Sequence, residues 1–362
     1  MNSTISLKIP QNATQVDPVE SSSKLRSPYV SGDLRLSVAP MMDWTDAHCR
    51  AFHRVLAPHA RLYSEMVHAN AVIHGDRARL LAMDPSEHPV ALQLGGSEPA
   101  LLAQAACIGV DAGFDEINLN CGCPSDRVQA GRFGACLMRE PALVADSVAA
   151  MIEAVPGVPV TVKCRLGVDD DHEWARFLAF IDTIAEAGCT TFVVHARNAW
   201  LQGLSPKENR EVPPLRYDWA YRLKVERSAL QVVVNGGIAD AAEATAHLDH
   251  VDGAMLGRAA YHTPFLLHEL DVAWFGGSTG SPRTELRSRS ELLRAYRPYV
   301  EARLDRGVLL KHIVRHVLGL FAGQPGGRAF RQVLSEGAHK PGADWSLVEQ
   351  ALALTERREQ AA

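Results

Sequence analysis

The chain has 362 residues, of which 47% are hydrophobic and 22% are charged, so it can bury a full globular core and is long enough for one large domain and a smaller one. No apolar run of about 18 residues and no secretory signal pattern is present, so we expect a cytoplasmic protein rather than a membrane-spanning or exported one. The seven cysteines fall at irregular spacings, which argues against a disulfide framework, and the net charge of −5 does not by itself suggest a polyanion-binding protein.

The chain begins with a stretch that is unlike the rest. Residues 1–32 are rich in Ser, Thr, Pro, Asn and Gln and contain few large apolar groups. Such a segment buries too little apolar surface to offset the entropy lost on ordering. We expect this extension to be disordered and exclude it from the fold.

From residue 33 onward, short runs rich in Val, Ile and Leu alternate with stretches of helical periodicity. The predicted strands are Leu36–Ala39, Arg61–Glu65, Val90–Leu94, Glu116–Asn120, Val160–Arg165, Thr191–His195, Gln231–Val234 and Gly253–Leu256. The clearest connecting helices are Glu98–Ala112, Glu140–Ala154, His172–Ala187 and Ala241–His247. This alternation predicts an α/β fold, either a closed TIM (β/α)8 barrel or an open doubly wound sheet. The count of eight strands and the lack of a glycine fingerprint after the first strand favour a TIM barrel over residues 33–270.

After residue 270 the strand pattern stops, and we expect a small helical domain over residues 271–362. Its predicted helices are Ser290–Arg306, Leu309–Ala322, Arg328–Ser335 and Asp344–Arg357. Between residues 281 and 342 twelve Lys/Arg face five Asp/Glu, a net +7, so the remainder of the chain carries −12. A basic module on an acidic body suits nucleic-acid binding, although a solvated helical domain with many arginines is the alternative.

Polar residues and glycines follow nearly every predicted strand. In a (β/α)8 barrel these strand ends converge on one cavity, where catalytic groups lie. Glycines follow strands seven and eight, at Gly236, Gly237 and Gly257, and Arg258 adds a bidentate cation. Because glycine lets backbone N–H groups approach an anion closely, this end of the rim predicts a phosphate site.

Two further strand-end residues suggest which phosphate ligand is bound. Gln93 offers both a donor and an acceptor, and Lys163 can place a positive charge beside the N1/C2 edge of a flavin ring. A flavin mononucleotide (FMN) fits this set. A barrel lyase or isomerase that uses Lys163 as a Schiff-base residue on a phosphorylated sugar is the alternative.

The segment that follows strand four carries a resemblance to a known family. Residues 118–125 read Asn-Leu-Asn-Cys-Gly-Cys-Pro-Ser and are followed by Gly134-Ala135-Cys136-Leu137-Met138. Further matching segments, in the same order, are Ala39-Pro40-Met41-Met42-Asp43-Trp44, Val162-Lys163-Cys164-Arg165, His195-Ala196-Arg197 and Asn235-Gly236-Gly237-Ile238. From about Leu36 to its C-terminus, the chain resembles the tRNA-dihydrouridine synthases. Residues 195–210 are similar to the subgroup that acts on uridines 20 and 20a, except that position 198 is more typically lysine there and is Asn198 here.

The resemblance implies an FMN-containing barrel that uses NADPH to reduce the C5–C6 double bond of uridine in the D-loop of tRNA. It implies that Cys123 is the catalytic residue, which protonates C5 after hydride reaches C6. The implied cofactor-binding residues are Pro40, Met41, Met42, Gln93, Lys163, His195, Asn235, Gly236, Gly237, Gly257 and Arg258. The implied tRNA-binding residues are Asn120, Lys207, Arg210, Arg328 and Arg331. We expect no metal, since Cys121 and Cys123 lack further ligands at suitable spacing, and we expect a monomer.

Two other functions remain open at this point. A flavin barrel that reduces a free pyrimidine would need no basic domain, so the net charge of +7 between residues 281 and 342 argues against it. A tRNA-binding factor with vestigial redox chemistry would not need Cys123 together with a full set of flavin-contacting residues.

Overall fold

The computed structural model describes residues 33–276 and 286–359. The N-terminal extension expected to be disordered, residues 1–32, lies outside the described residues. The strands are β1 (Leu36–Val38), β2 (Leu62–His68), β3 (Val90–Gly95), β4 (Glu116–Cys121), β5 (Val160–Cys164), β6 (Thr191–His195), β7 (Gln231–Asn235) and β8 (Gly253–Leu256). They form one parallel sheet in the order β1-β8-β7-β6-β5-β4-β3-β2.

The sheet closes on itself between its first two strands. Ser37 pairs with Arg61 in a parallel bridge, and Val38 N donates to Arg61 O at 2.9 Å. Each strand therefore has a neighbour on both sides, and chain order is kept around the ring. The predicted TIM barrel is confirmed, and the open doubly wound sheet is excluded.

Helices follow the strands and surround the barrel. Within the described ranges they are α1 (Ala47–Leu56), α2 (Ala69–His74), α3 (Arg77–Leu80), α4 (Pro99–Asp111), α5 (Asp126–Ala130), α6 (Pro141–Ala154), α7 (Trp174–Glu186), α8 (Tyr217–Glu226), α9 (Ala241–His247), α10 (Arg258–His262), α11 (Phe265–Phe275), α12 (Arg289–Leu304), α13 (Leu310–Val314), α14 (Gly327–Gly337) and α15 (Trp345–Glu359). Short 3-10 helices lie at Pro85–Glu87, Gly134–Arg139 and Glu208–Arg210. None of the helices in these ranges combines the length and apolar character needed to span a bilayer.

The alternation of side chains along β4 shows how the barrel builds its site. Ile117, Leu119 and Cys121 belong to the apolar core between strands and helices. The intervening Glu116, Asn118 and Asn120 are also buried, and their side chains hydrogen-bond to other strands inside the barrel. A polar column thus rises through the barrel interior to the carboxyl ends of the strands.

The first helix after residue 286, α12, packs against α1 of the first βα unit. Ser288 begins α12 with a capping box that includes Glu291. Further along α12, Tyr299 OH lies 2.8 Å from His48 Nδ1, and Tyr296 OH donates to His48 O at 2.8 Å. The C-terminal helices are therefore anchored to α1 of the barrel.

The predicted helix Leu309–Ala322 is wrong over most of its length. Only Leu310–Val314 is α-helical, and successive i to i+3 turns follow, such as Leu320 N to Val317 O at 3.0 Å. The chain passes close to α10 here. A Cβ on Gly319 would lie only 2.5 Å from His262 O. The apolar period is preserved in these turns, since Val317 and Leu320 are buried.

The expected domain boundary at residue 270 lies within α11 (Phe265–Phe275), a helix with most of its residues buried. The division of the chain into a barrel of residues 33–270 and a helical domain of residues 271–362 therefore stays a prediction.

Candidate functional site

A cavity of about 790 Å³ opens at the carboxyl ends of the strands. The predicted cofactor contacts and the predicted catalytic cysteine all line it, together with two of the predicted RNA contacts. These residues are Pro40, Met41, Met42, Gln93, Asn120, Cys123, Lys163, His195, Arg210, Asn235, Gly236, Gly237, Gly257 and Arg258. The convergence follows from the barrel, because the parallel strands deliver their ends to one rim.

The floor of the cavity is a one-way chain of hydrogen bonds between side-chain amides. Asn120 Oδ1 accepts from the backbone N–H groups of residues 122 and 123 at 3.1 and 3.0 Å, so its Nδ2 must face Gln93, to whose Oε1 it donates at 2.8 Å. Gln93 Nε2 then donates to Asn118 Oδ1 at 2.8 Å, and Asn118 Nδ2 donates to Thr161 Oγ1 at 2.8 Å. The Thr161 hydroxyl donates to the carboxylate of Glu116. Each amide therefore has one allowed orientation.

Glu116 ends this chain deep inside the barrel. Its carboxylate also accepts a hydrogen bond from Tyr63 OH at 3.0 Å and pairs with the guanidinium of Arg61. All three side chains are buried. The carboxylate is therefore held in place from three directions.

Cys123 is the cysteine of the Cys-Gly-Cys segment that faces the cavity. Its thiol lies 3.5 Å from Ser125 Oγ and is partly exposed. Cys121 is fully buried, and this burial raises the pKa of its thiol well above the usual value. Cys136 is also turned away, since its thiol donates to Phe133 O at 3.1 Å. Of these three thiols, Cys123 is the one placed for chemistry in the cavity.

Lys163 lies on β5 and extends across the cavity floor to β7. Its Nζ donates to Asn235 Oδ1 at 2.9 Å, while Asn235 Nδ2 donates to Met255 O at 2.8 Å. Burial, with a smaller contribution from the nearby Arg165 guanidinium, lowers the pKa of Lys163 to about 8. The Lys163 ammonium group therefore titrates near pH 8. Contact with an anion would stabilise its charged form.

Burial also lowers the pKa of two neighbours of Lys163. Burial lowers the pKa of Arg165 to about 9, and burial together with the surrounding cations lowers the pKa of His195 well below its usual value. The His195 imidazole is therefore neutral near pH 7, where it can both donate and accept a hydrogen bond.

The residues that line the cavity are unbalanced in charge. They include Lys163, Arg165, Arg210 and Arg258, and in the described part of the chain no Asp or Glu lines it. Such a site attracts an anionic ligand. Within the same described residues, no cluster of three or more His, Cys, Asp or Glu side chains has an arrangement that could hold a metal ion.

The glycines after β7 give the cavity a narrow backbone wall. Gly236 has φ +112 and Gly237 has φ +79, a region that side chains rarely adopt. A Cβ on Gly236 would lie 2.4 Å from the ring of His195. Tyr217 OH donates to Gly236 O at 2.6 Å and holds this turn from behind. On the other side of the turn, Arg258 forms an ion pair with Glu211.

The remaining predicted RNA contacts lie outside the cavity. Lys207 is exposed at the start of the 3-10 helix Glu208–Arg210. Arg328 and Arg331 are exposed and three residues apart on α14, so they project from one side of that helix. Asn198, which stands where the resembled subgroup more typically has lysine, is buried and donates to Asp171 O at 2.7 Å.

The structure also adds cavity residues that the sequence did not single out as site residues. Trp44 lines the cavity and stacks on Tyr261 with ring centroids 4.4 Å apart. Arg165 lies at the end of a predicted strand, and its side chain lines the cavity and donates to Gly122 O at 3.2 Å. The sequence could have indicated both Trp44 and Arg165, since each falls within one of the segments that carry the family resemblance.

Comparison with known proteins gives a consistent result. A sequence profile of the family described as "Dihydrouridine synthase (Dus)" matches residues 37–356. The tRNA-dihydrouridine(20/20a) synthase of Xanthomonas axonopodis pv. citri (strain 306) is 71% identical over 91% of this chain and 96% of its own length. Proteins of the same name are 66% identical in Xylella fastidiosa (strain 9a5c), over 91% of this chain and 95% of the relative, and 55% identical in Vibrio cholerae, over 88% and 96%.

Among solved structures, morphinone reductase aligns with 70% of this chain and 88% of its own, at 15% identity and a TM-score of 0.47. This likeness is too low to carry an argument about function.

Proposed function

The chain belongs to the dihydrouridine synthase family, and from that premise we propose that it reduces uridine 20, uridine 20a or both in the D-loop of tRNA, with bound FMN and with NADPH as the reductant. The observation that carries the proposal is the cavity at the strand ends, where Cys123 faces a group of cations with no lining carboxylate in the described residues. The names of the relatives, one of which is 72% identical to this chain, supply the tRNA positions.

The residues present fit FMN by their chemistry. Gly236, Gly237 and Gly257 leave the backbone open to a phosphate, and Arg258 adds charge and a bidentate donor. At the other end, Gln93 presents an amide of fixed orientation, and the buried Lys163 can hold a positive charge beside an anionic ring edge. When bound, FMN would supply the hydride that reaches C6 of the uracil.

Cys123 would complete the reduction. Hydride addition at C6 leaves negative charge at C5 and O4 of the base, and the Cys123 thiol protonates C5 as the general acid. Asn120 lines the cavity beside this thiol and keeps one N–H free after its bond to Gln93, so it can contact the base. Lys163 would favour the reduced, anionic state of the cofactor.

The target base must leave its stack to reach this cavity. We therefore assign the exposed cations around the rim and on α14 to the RNA backbone and the extruded nucleotide. These cations are Lys207, Arg210, Arg328 and Arg331. Arg210 also lines the cavity, so it is the member of this group placed to contact the base itself.

The absorption spectrum of the purified protein tests the proposal. The spectrum is recorded before and after anaerobic NADPH and again after addition of tRNA that lacks dihydrouridine. We expect a flavin spectrum that NADPH bleaches and that tRNA restores, with dihydrouridine at positions 20 or 20a in the product. A colourless protein that does not take up FMN would instead favour a phosphate-binding barrel with Lys163 as a Schiff-base residue.

A further inference from the structure

The residues on either side of Cys123 both have carbonyl groups that accept hydrogen bonds from side chains. Gly122 O, on the N-terminal side, accepts a hydrogen bond from Arg165 Nε at 3.2 Å. Pro124 O, on the C-terminal side, accepts one from Gln129 Nε2 at 2.8 Å. The loop of residues 122–125, here called the cysteine loop, is thus fixed on both sides of its thiol.

Both side chains also reach a second segment, the β6–α8 loop of residues 196–216. Arg165 Nη1 donates to Asn209 O at 2.9 Å and to Asn198 O at 3.2 Å. Gln129 Nε2 donates to Leu201 O at 2.6 Å. Each of the two side chains therefore bridges the cysteine loop and the β6–α8 loop.

The β6–α8 loop is built as a compact unit that can transmit such a restraint. Asn209 is fully buried, and its Oδ1 accepts from Trp200 N at 2.7 Å. Its Nδ2 donates to Trp200 O at 2.8 Å and to Leu204 O at 3.1 Å. The same loop carries Lys207 and Arg210, so bridges to its backbone restrain the positions of both cations.

We propose that Arg165 and Gln129 are positioning residues that fix the thiol of Cys123 relative to the β6–α8 loop, so that the proton donor and the RNA-contacting cations form one rigid unit. The inference rests on the proposed function for the roles of Cys123, Lys207 and Arg210. The bridge itself stands on the hydrogen bonds alone. Proton transfer requires the thiol within hydrogen-bond reach of C5, and a displacement of about 1 Å in such a group slows a reaction by roughly 100-fold.

The first test measures the bridge without any need for activity. Amide hydrogen exchange is compared in the wild-type protein, Gln129→Met and the control Gln104→Ala, which changes an exposed glutamine on α4. Methionine is close to glutamine in size but donates no hydrogen bond. We expect Gln129→Met to raise exchange in residues 122–125 and in residues 198–210 together. Unchanged exchange, or a change in only one of the two segments, would overturn the proposal.

The second test asks whether the bridge serves the chemistry. The protein is reduced with NADPH and mixed with saturating tRNA in a stopped-flow instrument, in H₂O and in D₂O. For Gln129→Met and Arg165→Lys we expect reoxidation by tRNA to slow by about 10- to 100-fold, with a larger solvent isotope effect as proton transfer becomes limiting. Reduction of Gln129→Met by NADPH should stay within about twofold of wild type.

A purely structural role would have a different signature. It would lower the fraction of active protein or the melting temperature while the remaining protein kept the wild-type rate and isotope effect, and this result would overturn the proposal. Gln129→Glu sharpens the comparison, because it keeps the shape of glutamine but places a carboxylate against two carbonyl oxygens. Wild-type kinetics in that variant would also contradict the role. If wild-type protein is not reoxidised by tRNA, the proposed function fails, and the hydrogen-exchange result still decides whether the bridge exists.

Discussion

Lys163 Nζ lies 2.9 Å from Asn235 Oδ1, a contact that joins β5 and β7 beneath the cavity. The partner is a neutral amide, so the ammonium group keeps its charge available for a ligand. Because burial lowers the pKa of Lys163 to about 8, the site changes charge close to physiological pH.

FMN affinity is therefore expected to weaken as the pH rises through about 8. Below this pH the free protein already carries the lysine proton, so the Kd should be flat. Above it, the protein must take up a proton to regain the ammonium group that donates to the flavin ring, and the Kd should rise by up to about tenfold per pH unit. Quenching of FMN fluorescence between pH 7 and 9.5 measures this. Lys163→Met should bind FMN more weakly with a flat profile, and a similar rise in that variant would assign the titration to another group.

Replacing Cys123 with alanine should block transfer to tRNA while leaving bound flavin reducible by NADPH. Loss of a general acid typically slows a reaction by about 100- to 10,000-fold. Single-turnover formation of dihydrouridine measures the effect. Cys136→Ala is the matched control and should stay near wild type, because the Cys136 thiol bonds to Phe133 O and not to a cavity group. Equal losses in the two variants would remove the special role of Cys123.

Gly236→Ala should abolish FMN binding. The new Cβ would lie 2.4 Å from the His195 ring, and the residue would have to keep φ +112. Gly157→Ala is the control for backbone strain, since Gly157 has φ +80 and no atom within 4 Å of an added Cβ. Gly157→Ala should lose roughly 1–2 kcal/mol of unfolding free energy from the left-handed backbone, and Gly236→Ala should lose more because of the added clash, but only Gly236→Ala should lose the yellow colour. A flavin-bound Gly236→Ala protein would contradict the assigned phosphate end of the cavity.

The double variant Arg328→Ala/Arg331→Ala should weaken tRNA binding and reduce its dependence on salt. If each arginine neutralises one phosphate, the slope of log K against log salt should fall by roughly 1.4 to 1.8 in magnitude. Filter binding at several salt concentrations provides the slope. Arg222→Ala/Arg227→Ala on and just after α8 changes the net charge equally and is expected to leave the slope unchanged. Loss of NADPH-dependent flavin reduction in the first double variant would mean that α14 supports the fold.

Glu116→Gln should destabilise the barrel. The variant keeps the shape of the side chain but leaves the buried Arg61 without its counter-charge. Breaking such a pair costs about 3–5 kcal/mol, which urea unfolding would detect. Glu186→Gln changes an exposed glutamate on α7 and should alter the unfolding free energy by less than about 0.5 kcal/mol. A small effect of Glu116→Gln would show that Arg61 is solvated or paired elsewhere.

The sequence predicted the barrel and the convergence of strand-end residues on one cavity because both depend on side-chain patterns. The hydrophobic periodicity predicted the alternating order of strands and helices. Because the strand ends of such a barrel converge, Gln93, Lys163 and Asn235 were expected at one rim. The hydrogen bonds that Arg165 and Gln129 make to the loops could not be predicted in this way. Their partners are backbone carbonyls, which every residue type carries, so no residue pattern identifies them.

The prediction of a helix over Leu309–Ala322 was wrong for a related reason. Its apolar positions recur with a helical period and are buried as expected, as at Val317 and Leu320. The hydrogen bonds, however, span three residues instead of four after Val314, and Gly319 packs against the carbonyl of His262 in this stretch. The spacing of apolar residues indicates which side of a segment is buried. It does not distinguish a helix from a run of tight turns that buries the same side.

The one-way order of the amide chain beneath the cavity has an evolutionary consequence. Every donor from Asn120 to Thr161 points toward Glu116, and backbone N–H groups fix the orientation of Asn120, so replacing Asn118 or Thr161 with a group of opposite hydrogen-bonding sense would leave buried polar groups unpaired. The interior of this barrel can accept new side chains only in matched sets, and the ligand chemistry at its mouth is inherited together with residues that never touch the ligand.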